Sequence, residues 1–119
     1  MTTRRALGTS AADLFDTTLR WTESWFDPAV AAVWNPAGSF GEPATARTFH
    51  LTPNSGWFAY GALLSGRPDL HGPAVAVLRR LLASQYDAPG QPWDGSFPRY
   101  LEAPTPGPGA QEWVDYDPN

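Results

Sequence analysis

The sequence predicts an all-α fold. Three observations carry that expectation: apolar side chains recur at helical spacing in three separate stretches, Ser or Pro residues suited to helix starts precede them, and no stretch alternates convincingly as a half-buried strand would. Ser10 with Asp13 three residues later marks the first start, the short acid standing in for the Glu of a capping box. The helix it opens should run to about Phe26. Leu14, Thr18, Trp21 and Trp25 lie along one stripe and Phe15, Leu19 and Phe26 along another, so its apolar arc is broad and needs cover on more than one side.

Asp27-Pro28 ends that helix and is expected to cap a short second one over Ala29 to Val33, because Pro fits the first helical position. Asn35-Pro36-Ala37-Gly38 breaks it, and the small, turn-prone residues from Gly38 to Arg47 read as a connection. A clearer start follows at Thr52-Pro53, ahead of Trp57, Tyr60 and Leu64 at helical spacing, with an end near Ser65-Gly66. Gly56 and Gly61 each cost that helix about 1 kcal/mol in propensity against Ala. Close helix packing explains such a cost, and so does close approach of a ligand. Gly72-Pro73 introduces the last long helix, with Val75, Val77, Leu78, Leu81 and Leu82 on its apolar side and Arg79-Arg80 outside. From Asp87 onward no periodicity remains, although Trp93, Phe97, Tyr100, Trp113 and Tyr116 argue against disorder. Structureless segments beyond about 12–15 residues are usually functional when they are ordered, so this one reads as a loop beside a binding cleft.

Composition narrows the function. A chain of 119 residues has the length of one small domain, which buries about two-thirds of its unfolded surface. Its 6 Trp, 6 Phe and 4 Tyr would make large rings the main source of core stability, and they also suit sugar stacking. The formal charge is −4 and all 8 basic side chains are Arg, which argues against a nucleic-acid partner. Cysteine is absent, so disulfides, thiolate metal sites and thiol chemistry are excluded. No apolar run approaches the length of a membrane span, and polar residues follow the basic start where a signal peptide needs an apolar stretch. The expectation is therefore a cytoplasmic protein with no membrane partner.

Few residues carry a chemical signal on their own. Asp115 and Asp117 flank Tyr116, and two readings stay open: solvated turn acids, or a carboxylate pair of the kind that cleaves a glycosidic bond, one acid donating a proton while the other activates water or attacks carbon. Asp115-x-Asp117-x-Asn119 also matches the opening of a calcium loop, but Pro118 intrudes, so no metal is expected. His50 and His71 are too few and too far apart for a His-based metal site. His50 lies at a helix entrance, close in sequence to Asn54 and Trp57, where it reads either as a local hydrogen-bonding group or as part of a pocket wall. Neither a nucleophile elbow nor a phosphate-binding glycine loop is present, and no cofactor is expected.

Three stretches are more distinctive: Phe49-His50-Leu51-Thr52-Pro53-Asn54-Ser55-Gly56-Trp57-Phe58-Ala59-Tyr60-Gly61, Gln85-Tyr86-Asp87-Ala88-Pro89-Gly90-Gln91-Pro92-Trp93-Asp94-Gly95-Ser96-Phe97, and Glu112-Trp113-Val114-Asp115-Tyr116-Asp117-Pro118-Asn119. Together they resemble the opening of proteins in the six-hairpin glycosidase-like superfamily, the (α/α)6 toroids, many of which hydrolyse or eliminate glycosidic bonds. The resemblance implies helical hairpins of an incomplete toroid over 10–119, truncated at its C-terminal end, after a flexible N-terminus over 1–9. It implies a carbohydrate substrate and glycoside hydrolase chemistry, with polysaccharide lyase activity as a variant. Asp115 and Asp117 would then be the catalytic candidates. Trp93 and Trp113 would stack on sugar rings, and Arg99 with nearby acids such as Asp94 would bond hydroxyls or carboxylates. His50, Asn54, Trp57 and Tyr116 would complete the substrate site, Tyr116 or His50 serving as base in a lyase. The alternative from another class is a non-catalytic helical interaction module, which would bind a protein, missing helices or a second copy through its exposed aromatics. Whether the chain is itself an enzyme stays open at this point.

Overall fold

The computed structural model describes residues 10–35 and 49–118. Expectations for 1–9, for the whole turn-prone connection over 38–47 and for Asn119 lie outside them. Among the described residues there are three helices and one hairpin: α1 (Ala11–Glu23), β1 (Phe26–Asp27), β2 (Ala32–Val33), α2 (Thr52–Leu64) and α3 (Pro68–Ser84). The fold is therefore mixed α/β, which corrects the all-α expectation.

The correction arises at one place. Asp27-Pro28 suits a helix start, but Asp27 Oδ1 accepts the Ala29 N–H at 3.0 Å and Ala31 turns left-handed at φ 56°. The chain reverses, and Phe26 pairs with Val33 and Asp27 with Ala32 in an antiparallel register. Asx side chains serve turns as readily as helix caps, so the local sequence suits both outcomes. Packing distinguishes them: Ala32 and Val33 are fully buried, and the Val33 N–H donates to the buried Ser55 hydroxyl at 2.9 Å.

α1 starts as expected, with the Ser10 hydroxyl accepting from the Asp13 N–H. α2 begins at Thr52 with Pro53 in its first turn. α3 begins earlier than Gly72-Pro73, at Pro68, and carries Pro73 inside it. Pro68 is itself well placed as a first-turn residue, where a missing N–H costs no hydrogen bond. Ser65-Gly66-Arg67 joins α2 to α3, and Gly66 takes the left-handed conformation (φ 69°) that ends a helix. Arg67 ties this corner to α1, its guanidinium donating to both Glu23 oxygens at 3.0 and 3.2 Å and to Asp69.

The core is small. Leu19 of α1, Val33 of β2, Phe58, Ala59 and Ala62 of α2, and Leu70, Ala74 and Val77 of α3 form one buried cluster, with Trp25, Phe26 and Leu81 packed on it. Much of the apolar arc of α1 stays uncovered: Leu14, Phe15 and Trp21 are exposed.

Beyond α3 the described residues form no regular element, yet backbone hydrogen bonds pin them. The Leu51 N–H donates to Val33, the Leu101 N–H to His50, and the Thr52 N–H to Arg99. Phe97 and Asp117 exchange both bonds, at 2.9 and 2.8 Å. The aromatic segment is thus stitched through residues 50–52 to the hairpin and to the start of α2.

Candidate functional site

The first turns of α2 present Thr52, Pro53, Gly56 and Trp57 along one side, the outcome of i, i+4 spacing. Leu81 of α3 adjoins them, and the aromatic segment adds Phe97, Trp113 and Asp117. Together these residues line a cleft of about 440 Å³. Phe97 and Asp117 come together because a hydrogen-bonded antiparallel pair places both side chains on the same face. Asp117 is buried, whereas the two indoles remain open to solvent, Trp57 at 71% and Trp113 at 55% exposure. The Thr52 hydroxyl is enclosed and has no hydrogen-bond partner among the described residues.

Trp113 is held under strain. Its φ is 64°, a conformation that costs a non-glycine residue about 1–2 kcal/mol. Two hydrogen bonds fix it there: its N–H donates to the Tyr116 carbonyl at 2.8 Å, and its own carbonyl accepts from the Arg99 guanidinium. A large ring kept exposed on a strained, doubly anchored backbone is an arrangement that concentrates at ligand sites.

His50 lies elsewhere and does something different. Its ring is buried between two carboxylates, Nε2 lying 3.0 Å from Asp27 Oδ2 and Nδ1 meeting Glu102 Oε1. Trp34 stacks on the imidazole with centroids 3.8 Å apart. Glu102 also accepts the His50 backbone N–H at 3.0 Å. Burial pushes the Glu102 carboxyl up, but the hydrogen bonds from the His50 backbone and ring outweigh it and hold the group below the usual carboxylate value. Both imidazole nitrogens are occupied, so neither is left to take a substrate proton or bind a metal. The arrangement is a clamp that joins β1 to the aromatic segment.

The other sequence-predicted residues divide between scaffold and surface. Trp93 is buried against Tyr116, with ring centroids 6.3 Å apart. Asp94 caps a turn, its Oδ1 accepting the Ala88 N–H at 2.9 Å. Asp115 does the same for the Gln111 N–H at 2.9 Å, and it lines a separate recess rather than the cleft. Asn54 faces a second, more apolar groove of about 600 Å³ between α1 and α2, which shares Trp57 with the cleft. Of the ten residues singled out from sequence, the cleft brings together Trp57, Trp113 and Asp117, and Arg99 supports it through the Trp113 carbonyl. Sequence reasoning passed over Thr52, Leu81 and Phe97 as cleft residues, and Asp27, Trp34 and Glu102 as partners of His50. Asp27 and Glu102 lie 23 and 52 positions from His50, so no local pattern links them.

Among the described residues no group of three or more His, Asp or Glu side chains is placed to hold a metal ion, and no helix is long and apolar enough to cross a membrane. A model of a family described as a domain of unknown function, DUF8769, matches residues 12–119. No curated protein and no solved structure matches the chain.

Proposed function

We propose that this chain, which belongs to the DUF8769 family, binds a carbohydrate in the cleft between α2 and the aromatic segment. The observation that carries the reading is the pair of exposed indoles, Trp57 and Trp113, lining one cleft with the carboxylate-bearing Asp117. Apolar ring faces beside one or a few polar groups are how pockets combine affinity with orientation, and a pyranose offers both an apolar face and a ring of hydroxyls. The volume of about 440 Å³ lies within the range of small-molecule sites.

Binding is favoured over bond cleavage. Glycoside hydrolysis conventionally uses two carboxyl groups facing each other across the scissile bond. Among the described residues Asp117 is the only acid lining the cleft, while the carboxylate of Asp115 is engaged by the Gln111 N–H outside it. The test is titration of the chain with a panel of soluble oligosaccharides by calorimetry, alongside Trp57→Ala and Trp113→Ala. At least one glycan should bind, and each substitution should weaken it about tenfold or more, as loss of a central aromatic anchor does. A panel without binders, or full affinity in both variants, would refute the reading.

A second reading, a non-catalytic interaction module, is favoured by the groove between α1 and α2, whose walls include Phe15, Trp21, Trp57, Tyr60 and Leu64. It predicts concentration-dependent association in sedimentation experiments, weakened by Trp21→Ala and insensitive to Trp113→Ala.

A further inference from the structure

The groove between α1 and α2 differs from the cleft in its chemistry. Its walls carry Phe15 and Trp21 from α1 and Trp57, Tyr60 and Leu64 from α2, and among the described residues no Asp, Glu, Arg or His lines it. The charges of α1 lie on its other side, where Asp16 pairs with Arg20 at 2.7 Å and Glu23 with Arg67 at 3.0 Å. That separation follows from the helical period: positions 16, 20 and 23 share one stripe, and positions 14, 18 and 21 share the opposite one. Leu14 on that second stripe is exposed, as are Trp21 beside it and Trp57, Tyr60 and Leu64 across the groove.

The open area is large for so small a chain. Phe15, Trp21, Trp57 and Tyr60 are 40%, 53%, 71% and 67% exposed, which at the usual size of such side chains leaves about 500 Å² of ring surface in water. Two copies meeting through this face would withdraw about 1,000 Å² through the rings alone, before Leu14 and Leu64 are added, and that reaches the size of a specific interface. Charge narrows the partner further. A charged ligand or peptide finds nothing in the groove to pair with, whereas an uncharged face meets its own copy without setting like charges against each other. The face also carries both halves of a fit, since the exposed Leu14–Trp21 stripe is a ridge and the groove lies beside it. In a two-fold contact each ridge enters the other copy's groove.

We infer that the partner of this face is a second copy of the chain, joined in a two-fold contact in which α1 of each copy lies along the α1–α2 groove of the other. The two pairs of helices then form a four-helix contact around a shared apolar core. Trp21 belongs both to the ridge and to the groove wall, so it serves both sides of the contact. The inference rests on the interaction reading above, to which it gives a partner, and stands apart from the carbohydrate reading. Trp57 borders groove and cleft alike, so the two surfaces meet at that ring.

The experiment is sedimentation of the native chain from about 1 μM to 1 mM, a range that brackets the affinity of an interface at the small end of the specific class. The mass should rise to twice that of one chain and stop there, because an isologous contact closes on itself. Trp21→Glu and Leu14→Glu, both at exposed helical positions and checked for folding by circular dichroism, should each weaken the dimer about thirtyfold or more, as loss of a central anchor does. Trp113→Ala, outside the groove, should leave it unchanged. Mass growth without a plateau overturns the two-fold contact, and a dimer that survives both Glu variants overturns the α1–α2 face as its seat. A chain still monomeric at about 1 mM overturns the second copy as partner. Nile red then separates the two readings: dye bound by that monomer and lost in Trp21→Glu leaves an open apolar face for another partner, whereas a monomer that binds no dye overturns the interaction reading as well.

Discussion

His50 shows how a single side chain can look like chemistry and act as structure. An imidazole at a helix entrance is a natural candidate base, yet here Asp27 and Glu102 take both nitrogens and Trp34 covers one face. Removing the ring leaves the largely buried Asp27 carboxylate without its partner, a loss that typically costs 3–5 kcal/mol when fully buried. Because Glu102 is partly exposed, His50→Ala should lower unfolding stability by about 2–4 kcal/mol, read from urea midpoints. The acid dependence follows from Glu102, whose folded carboxyl titrates below its ordinary value. Its contribution is fully present above the unfolded Glu range and is lost as pH falls through the lower folded value. Glu102→Gln should therefore flatten the acid limb of a stability-against-pH curve. Ala31 offers the opposite kind of test. At φ 56° it carries left-handed strain that glycine avoids, so Ala31→Gly should raise stability by about 0.5–1 kcal/mol in the same assay.

The helices were readable because their signals are local. Ser10 with Asp13 and Thr52 with Pro53 set starts that the structure repeats to within a residue, and Gly66 marks the end of α2. The hairpin was not readable for the same reason: Asp27-Pro28 satisfies a cap and a turn equally, and the contacts that select the turn come from Ser55, 22 residues after Val33. Pro73 misled the placement of α3, since a proline that suits a first turn was taken up inside a helix already begun at Pro68. The glycines of α2 belong to this scale too. A Cβ at Gly61 would rest 3.6 Å from Leu19 Cδ1, and one at Gly56 would rest 3.7 Å from Leu81 Cδ1, both ordinary contacts. Helix packing is therefore close but leaves room for a methyl group. Gly61→Ala should gain up to about 1 kcal/mol from helix propensity, measurable as a higher thermal midpoint.

At the scale of the molecule, a small core and a long pinned segment divide the work. The buried cluster between α2 and α3, joined by Leu19 and Val33, fixes the platform. The aromatic segment, fastened by the His50 clamp and the Phe97–Asp117 pair, brings Trp113 and Asp117 to the first turns of α2. Sequence indicated that such a segment borders a cleft and named three of its residues. It gave no means of separating the exposed Trp113 from the buried Trp93, because burial here is decided by the bridge and turn geometry of the whole segment. The clamp and the cleft meet at residues 50–52, where His50 is held and Thr52 opens α2. His50→Ala should consequently weaken ligand binding as well as stability, whereas Gly61→Ala, outside the cleft, should change stability alone.

Joint reception of a carbohydrate by Trp57 and Trp113, as proposed above, can be read out ring by ring. The most direct measurement follows the indole N–H resonances of the 15N-labelled chain, assigned with Trp57→Phe and Trp113→Phe, during titration with the tightest-binding oligosaccharide. Saturable shifts are expected at Trp57 and Trp113, with Trp93 little changed. Shifts confined to Trp21 and Trp25 would place the ligand in the groove between α1 and α2 and contradict the claim.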